Sequence, residues 1–254
     1  MTSLFNHPTI TASIGTCPLG PAPVKVISSI MAANASDLLE QAHEYDKLDI
    51  DVIEWRADYF EQLTAQAFVS AAMQLKSEVS KPILWTLRTN TEGGQVEIKN
   101  EAYLELLELM AGSGLVDAID VELAKGESAS VIQTARASNT CVVMSNHDFE
   151  GTPELETIVA RLLTMDKAGA DILKIADMPH TPEDVLTLLA ATTATRRRTA
   201  KPIISMAMGS IGTISRITGE LFGSCATFAS ARQSSAPGQL PVSCVRDMLE
   251  KLKP

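Results

Sequence analysis

The stretch DILKIAD, residues 171–177, consists mostly of apolar residues and contains one lysine, Lys174, near its middle. Its short length and its isoleucine and leucine content predict a strand that is covered on both faces, as in a parallel sheet between helices. A lysine loses its solvation in such a place, so it is rare there unless it is paired or used chemically. The strand therefore raises two questions: which sheet it belongs to, and what Lys174 does.

Seven similar runs occur along the chain, at a spacing of roughly 30 residues, with helical segments between them. Two of these segments, at Thr152 and Thr181, open with Thr-Pro-Glu, which is a typical helix start. Eight strand–helix units predict a (β/α)8 TIM barrel that forms a single domain over residues 1–254. A doubly wound open sheet is the alternative, but no GxGxxG motif follows the first predicted strand. The predicted strands are 9–15, 50–58, 82–88, 117–123, 141–149, 171–177, 202–209 and 225–230.

Composition excludes several classes of function. The net charge of −10 and the lack of a basic stripe argue against a nucleic-acid partner, and Arg196–Arg198 is typical of a solvated helix end. No stretch reaches the roughly 18 apolar residues of a membrane span, and no signal peptide is evident, so we expect a cytoplasmic protein without a membrane partner. Four cysteines without CxxC spacing predict neither a disulfide framework nor a structural zinc site.

Ionisable side chains cluster where the predicted strands end. Active sites of (β/α)8 barrels lie at the carboxyl ends of the strands. Because these ends meet at one rim, the side chains would converge there, and such convergence favours an enzyme over a binding protein. The residues concerned are Glu54, Arg56, Arg88, His147, Asp148, Lys174 and, in the loop after residues 202–209, Arg216.

Lys174 and His147 carry the most specific chemistry. The neutral amine of a lysine attacks a carbonyl to form a Schiff base, and burial or neighbouring arginines favour that neutral amine. The resulting iminium acidifies the adjacent carbon, and a histidine titrates in the right range to remove its proton. The alternative for Lys174 is a structural ion pair with Glu54 or Glu122.

Five further stretches occur in a distinctive order and spacing: EWRAD (54–58), MSNHDFEGTP (144–153), KIADMP (174–179), SMAMGSIGTISRITGELFGSCATFAS (205–230) and SAPGQ (235–239). Together they resemble the type I 3-dehydroquinate dehydratase family. This resemblance implies a (β/α)8 barrel that converts 3-dehydroquinate to 3-dehydroshikimate by syn elimination of water, with no metal and no cofactor. It also implies a place in the shikimate pathway and a homodimer.

The resemblance also implies roles for individual residues. Lys174 matches the Schiff-base lysine, His147 the general acid/base, and Glu92 the glutamate that lies near this histidine. Arg216 matches the arginine that binds the substrate carboxylate, a pairing that suits the planar guanidinium. The remaining substrate-binding positions are Ser13, Glu54, Arg56, Arg88, Ser235 and Gln239, and Met206, Met208 and Phe228 match apolar walls of the pocket.

Residues 233–239 predict a mobile lid. The segment QSSAPGQ combines small residues with Pro237 and Gly238. Closure would place Ser235 and Gln239 over the substrate and exclude water from the iminium.

Two other functions are compatible with the same barrel. A class I aldolase or transaldolase would share Lys174, but it should have a phosphate site in the loops after the last two strands. This chain has Arg216 and SAPGQ (235–239) there instead. A non-catalytic barrel that binds a metabolite or a protein would lose only stability when His147 and Lys174 are replaced.

Overall fold

Among the described residues, 10–20 and 23–253, eight parallel strands form a nearly closed barrel in the computed structural model. They are β3 (Lys25–Ile30), β4 (Val52–Arg56), β5 (Ile83–Thr86), β6 (Ala118–Glu122), β7 (Cys141–Asp148), β8 (Ile172–Asp177), β9 (Ile203–Ala207) and β10 (Ala226–Phe228). Neighbours pair in chain order from β3 to β9, and β10 pairs with β3. The amide of Cys225 donates to Ile203 O at 2.7 Å, which joins β10 to β9. The predicted barrel is confirmed.

Eight α-helices in the described part of the chain surround these strands: α1 (Ala35–Tyr45), α2 (Ala65–Glu78), α3 (Asn100–Gly112), α4 (Ala129–Ala137), α5 (Leu155–Ala168), α6 (Pro182–Arg196), α7 (Gly209–Phe222) and α8 (Val242–Lys251). The start predicted at Thr181 is confirmed, because its hydroxyl accepts from the amide of Asp184 and a reciprocal bond completes a capping box. At Thr152 the helix begins later, with Glu154 as N-cap. None of the described helices has the length and apolar content that a membrane span requires.

The first strand of the barrel is not the predicted one. Residues 12–19 form an antiparallel hairpin of β1 (Ala12–Ile14) and β2 (Cys17–Leu19), and this hairpin lies outside the barrel sheet. The barrel begins instead with KVISSI, which sequence reasoning passed over because two of its six residues are serines. Both serines are buried with a hydrogen bond, which removes the cost of a polar group in the interior. Thr9, the first residue of the predicted strand, lies outside the described residues.

The hairpin closes the base of the barrel. Ile14 and Leu19 are fully buried in an apolar cluster with residues near the amino ends of the barrel strands, such as Val52 and Leu84. Each such side chain contributes about 1.5–3 kcal/mol when it is removed from water. Three of the four cysteines belong to this cluster and all four are free thiols, as expected for a chain without a disulfide framework. The base of the barrel is therefore a packed core, and space for chemistry remains at the other end.

One of the three arginines at the end of α6, Arg196, is buried, whereas the sequence predicted that all three are solvated. Arg196 is only 4% exposed, and its Nη1 donates to Thr199 O and Lys201 O at 3.1 Å each. Arg197 and Arg198 are exposed. The guanidinium of Arg196 thus ties the end of the helix to the segment that enters β9, which a run of three arginines cannot reveal.

Candidate active site

Lys174 lies in the centre of the barrel and is 4% exposed. Its Nζ donates to Asp120 Oδ2 on β6 at 3.0 Å and lies 3.8 Å from Glu54 Oε1 on β4. It also lies 4.7 Å from the centre of the Phe228 ring. The ion pair with Glu54 or Glu122 considered as an alternative is thus present with Glu54, while Glu122 pairs with Arg88. The nearest charged groups to the amine are the carboxylates of Asp120 and Glu54, and the rim arginine Arg88 contacts the other oxygen of Asp120.

Asp120 and Arg88 form the centre of a buried charge network. Arg88 Nη2 lies 2.7 Å from Asp120 Oδ1, and Nη1 donates to Glu122 Oε1 and to Ser145 Oγ at 3.0 Å each. Burial by itself would raise the pKa of Asp120, but Arg88 and Lys174 outweigh it and hold this pKa below its ordinary value. Sequence reasoning missed Asp120. The signal was an acid in the middle of an apolar strand, the same kind of signal that singled out Lys174.

His147 and Glu92 form a pair at the mouth of the barrel. His147 Nδ1 lies 2.9 Å from Glu92 Oε2, and the backbone amide of His147 donates to the same oxygen at 3.1 Å. Burial, with Arg88 and Lys174 close by, holds the pKa of His147 well below its ordinary value, so the imidazole is neutral at pH 7. Burial also raises the pKa of Glu92 to about 7. A neutral imidazole with Nδ1 engaged by a carboxylate leaves Nε2 as a proton acceptor.

Glu54 and Arg56 lie two residues apart at the end of β4, and both line the pocket. Glu54 accepts hydrogen bonds from Thr86 Oγ1 at 2.9 Å and from the hydroxyl of Ser29. Arg56 donates through Nε and Nη2 to both oxygens of Asp58, at 2.7 and 2.8 Å. These partners fix both side chains in place before any ligand binds, which favours recognition of ligand hydroxyl groups by defined geometry.

Arg216 lies on α7 and is 1% exposed. Its Nη2 donates to Pro237 O at 3.0 Å, and its Nη1 lies 3.5 Å from Met206 Sδ. No carboxylate of the described residues pairs with it, and its Nε has no hydrogen-bond partner among them. Burial lowers its pKa to about 10. A buried guanidinium without an acid is costly by itself, so this one is suited to a ligand anion.

The predicted lid segment, residues 233–239, covers the pocket. Ser235 Oγ donates to Ser29 Oγ at 2.9 Å, and Gln239 Nε2 donates to Ser235 Oγ at 3.0 Å. Gly238 has a φ of +79°, and a Cβ there would lie 2.1 Å from Gly209 O, so only glycine fits this close approach. The segment therefore has the contacts of a closed lid, and its mobility stays a prediction.

Nine of the ten predicted site residues line one pocket. Ser13 does not: it pairs with Pro18 in the hairpin and lies beside Thr140 and Asp171, at the amino ends of the barrel strands. The prediction for Ser13 is therefore wrong, because it depended on residues 9–15 being a barrel strand. Asp148 also points away from the pocket, towards Arg161 on α5. The nine are Glu54, Arg56, Arg88, Glu92, His147, Lys174, Arg216, Ser235 and Gln239, and Met206, Met208 and Phe228 line the same space.

The fold and the pocket define a (β/α)8 barrel enzyme with a buried amine, a neutral imidazole and, at the same mouth, a buried arginine that no described carboxylate pairs with. The family model for type I 3-dehydroquinase matches residues 26–253. The chain belongs to this family and is a hydro-lyase, an enzyme that breaks a carbon–oxygen bond.

Relatives and solved structures agree with this family. The chain is 43% identical to a 3-dehydroquinate dehydratase of Listeria monocytogenes over 92% of its length and 94% of that protein. It is also 43% identical to one of Shigella boydii, over 94% of the chain and 97% of that protein. The crystal structure of the enzyme from Geobacillus kaustophilus superimposes with a TM-score of 0.94, at 37% identity, over 99% of this chain and 98% of that one. A type I enzyme of Clostridium difficile, solved with covalently modified comenic acid, gives 0.92 at 37% identity over 96% and 98%.

Proposed function

We propose that this chain converts 3-dehydroquinate to 3-dehydroshikimate by syn elimination of water, with the substrate held as a Schiff base on Lys174. The proposal depends mainly on one observation: Lys174, His147 and Arg216 line the same covered pocket. These groups supply an amine for the ketone, a base for the adjacent carbon and a partner for the carboxylate. The names of the relatives support this substrate, and the Clostridium difficile structure supports covalent chemistry in the family.

Two sets of side chains would bind the substrate: Arg216, which has no acidic partner among the described residues, and Glu54 with Arg56, which already have partners. Arg216 offers a guanidinium without an acidic partner, and the substrate carboxylate supplies the missing anion. Ser235 and Gln239 lie on the segment that covers this end and can donate to the same carboxylate. Glu54 and Arg56, already held by their own partners, face the ring hydroxyls. The carboxylate thus orients the ring so that its ketone faces Lys174.

Imine formation begins with attack of the Lys174 amine on the C3 ketone. The ammonium must first lose a proton, and the neutral imidazole of His147 is the acceptor in the pocket. The carbon–nitrogen bond forms, and the ketone oxygen leaves as water with the proton that His147 returns and one further proton of the amine. His147 is then neutral again, and the iminium keeps one N–H and a positive charge. Asp120, 3.0 Å from Nζ, stays ionised and stabilises this cation.

Elimination then uses His147 on one face of the ring. Nε2 removes the C2 proton, and the electrons of that bond move towards the iminium. The C1 hydroxyl departs with the proton that His147 returns, so one water molecule is lost and the proton count balances. Because a single residue acts at both carbons, the proton and the hydroxyl leave from the same face. A second water hydrolyses the imine and restores the ketone and Lys174.

Borohydride trapping tests this mechanism. The protein is incubated with 3-dehydroquinate and sodium borohydride, and peptide mass spectrometry locates the reduced adduct. We expect it on Lys174 in the wild type and none in Lys174→Met. In His147→Ala we expect an adduct that forms more slowly, because the proton acceptor is missing, and that is not accompanied by product. Turnover at full rate without an adduct would refute the imine. An adduct without water loss in the wild type would favour an aldolase-like reaction instead.

We also propose a homodimer that works in the cytoplasm on the shikimate pathway, as the family resemblance implies. Exposed apolar side chains on the neighbouring helices α6 and α7 support an interface there: Leu186 is 64% exposed, Ile211 44% and Ile214 48%. Light scattering coupled to gel filtration tests this, with Leu186→Glu expected to shift the mass towards the monomer. A monomeric wild type would refute it.

A further inference from the structure

The outer face of β7 carries polar side chains that the mechanism does not use. Along this strand His147 points into the barrel, while Asn146 and Asp148 contact α5. Arg161 on α5 donates through Nη1 to Asn146 Oδ1 at 2.8 Å and to Asp148 Oδ2 at 3.2 Å. The guanidinium is thereby held next to the strand by two residues that flank His147.

Asn146 connects this guanidinium to the catalytic pair. Because Arg161 can only donate, the oxygen of the Asn146 amide must face it, and the nitrogen must face the other way. That nitrogen lies 3.4 Å from Glu92 Oε1 and is the only donor to this oxygen among the described residues. The other oxygen of Glu92, Oε2, accepts a hydrogen bond from the backbone amide of His147 and also contacts Nδ1 of its ring.

The charge of Glu92 decides which nitrogen of His147 carries the proton. An ionised Glu92 accepts from Nδ1–H and leaves Nε2 free to act as a base. A protonated Glu92 donates to Nδ1 instead, which places the proton on Nε2 and removes the base. Any group that favours the ionised form of Glu92 therefore favours the reactive tautomer of His147.

We propose that Asn146 and Arg161 are positioning residues for the acid–base step. Arg161 orients the amide of Asn146, and Asn146 stabilises the carboxylate of Glu92 that keeps the His147 proton on Nδ1. This inference rests on the proposed function, in which Nε2 is the base.

The charged groups around Glu92 determine how strongly the hydrogen bond from Asn146 can affect its ionisation. Burial raises the pKa of Glu92 to about 7, with Arg88 opposing the rise and Glu122 and Asp120 adding to it; the bond from Asn146 lowers it. On the other side, Arg161 is faced by Asp148 and by Asp177, a buried carboxylate whose oxygens have no hydrogen-bond partner in the described residues. Burial likewise raises the pKa of Asp177 to about 7. Near neutral pH, one hydrogen bond is thus enough to shift the ionisation of Glu92.

The test uses the full chain, three single variants, the double variant Asn146→Leu/Arg161→Met and one control. Asn146→Leu removes the amide at similar size, Arg161→Met removes the guanidinium, and Arg161→Lys keeps a donor as the conservative rescue. Lys167→Met, an exposed lysine on the same helix, is the matched control for the lost charge. The readouts are the ¹⁵N NMR shifts of the His147 ring in the ligand-free protein and the pH dependence of kcat/KM.

We expect Asn146→Leu to lower kcat about tenfold at pH 7, the lower range for loss of a charge-assisted hydrogen bond. It should move the acidic midpoint of the pH profile upward and shift the proton from Nδ1 towards Nε2. Arg161→Met should produce the same changes to a smaller extent, Arg161→Lys should restore part of them, and the double variant should equal Asn146→Leu alone. Lys167→Met should match the wild type.

Folded variants with an unchanged tautomer and an unchanged midpoint would overturn the proposal, even if their activity fell, because a purely structural role predicts that result. If Asn146→Leu does not fold, Arg161→Met and Arg161→Lys decide the question alone. A wild type without dehydratase activity would refute the proposed function, while the NMR readout on the ligand-free protein would still decide this inference.

Discussion

Arg88 and Arg216 are both nearly fully buried in the wall of the same pocket, but their surroundings are opposite. Arg88 is 3% exposed and lies within 3.4 Å of carboxylate oxygens of Glu92, Asp120 and Glu122. Burial alone would lower its pKa, but these acids outweigh burial and raise it. Arg216 is 1% exposed, and in the described part of the chain its guanidinium has only a carbonyl and a thioether as partners, so burial lowers its pKa to about 10.

This difference separates a guanidinium whose charge is paired within the protein from one that, in the proposed function, pairs with the ligand. The Arg88 side of the pocket is a complete network in which each charge has a partner, so it holds Lys174 and His147 in place. The Arg216 side has no anion among the described residues, so entry of a ligand anion would offset the cost of burying this charge. We therefore expect replacement of Arg88 to change mainly stability and replacement of Arg216 to change mainly ligand binding, although the two arginines are about equally buried.

The largest effect should come from the Arg88 side, at the nucleophile. Lys174→Met removes the amine and should lower kcat on the order of 10⁴-fold or more, as for other covalent nucleophiles. Asp120 keeps Arg88 as a partner, so the variant should still fold. A steady-state assay of product absorbance measures the loss, and circular dichroism checks the fold. Retention of more than a tenth of the activity would contradict the assignment.

Replacement of Arg88 should mainly affect stability. Arg88→Met leaves Asp120, Glu122 and Glu92 buried without their cation, and removal of one partner of a buried pair costs about 3–5 kcal/mol. Urea unfolding monitored by fluorescence measures the free energy of unfolding. A loss below about 1 kcal/mol would mean that the network does not depend on this arginine.

Replacement of Arg216 should mainly affect binding, and it is the matched control for the previous variant. Arg216→Met should raise KM for 3-dehydroquinate about 100-fold, because the carboxylate loses a buried charged partner. It should change the free energy of unfolding by less than about 1 kcal/mol, since no acid is left unpaired. Initial-rate kinetics and the same urea series measure both. Equal destabilisation by both variants would remove the contrast between the two arginines.

The pH dependence of kcat/KM should reflect the ionisation of Glu92, which belongs to the Arg88 network. Its pKa is raised to about 7, so kcat/KM should fall about tenfold per pH unit as pH drops below this value and Glu92 becomes protonated. His147 does not produce this fall, because its pKa lies well below the ordinary range. Glu92→Gln should be less active at pH 8 and should lose the dependence near pH 7. A profile of Glu92→Gln that retains the wild-type midpoint would assign the titration to another group.

The smallest effect should come from Ser13, which lies at the base of the barrel. Ser13→Ala should change kcat/KM by less than about twofold, the range expected for a surface substitution away from the site. Ser235→Ala, its counterpart on the covering segment, should raise KM several-fold. If Ser13→Ala were the more damaging of the two, the placement of the site at the carboxyl ends of the strands would be wrong.

The sequence allowed most of the barrel to be predicted, because buried parallel strands leave short apolar runs at regular spacing. The failure at residues 9–15 has a physical cause. A hairpin that plugs the base of the barrel needs the same alternation of apolar residues as a strand of its sheet, and KVISSI contains serines whose partners are distant in sequence. A warning was present in the spacing, since residues 9 to 50 are further apart than the starts of the later strands.

Site residues divide in a similar way. The places of Lys174, His147 and Arg216 in the pocket were predictable because charged groups are rare in or beside buried strands, and the matching motifs supplied the roles proposed for them. Asp120 had the same signal and was overlooked because acids in apolar strands are readily attributed to structural ion pairs. Asn146 and Arg161 had no signal, because a polar residue and an arginine fifteen positions later say nothing about a shared contact with Glu92.

By itself the sequence determined the family, the barrel and the chemical groups available, since these depend on residue type, local periodicity and order along the chain. The tertiary structure alone decided which of those groups are partners. Within the described residues, burial, approach within hydrogen-bond distance and the sum of nearby charges give Arg88 three acidic partners and Arg216 none. They also make His147 neutral beside a carboxylate. These quantities arise between residues distant in sequence, so only the folded arrangement sets them.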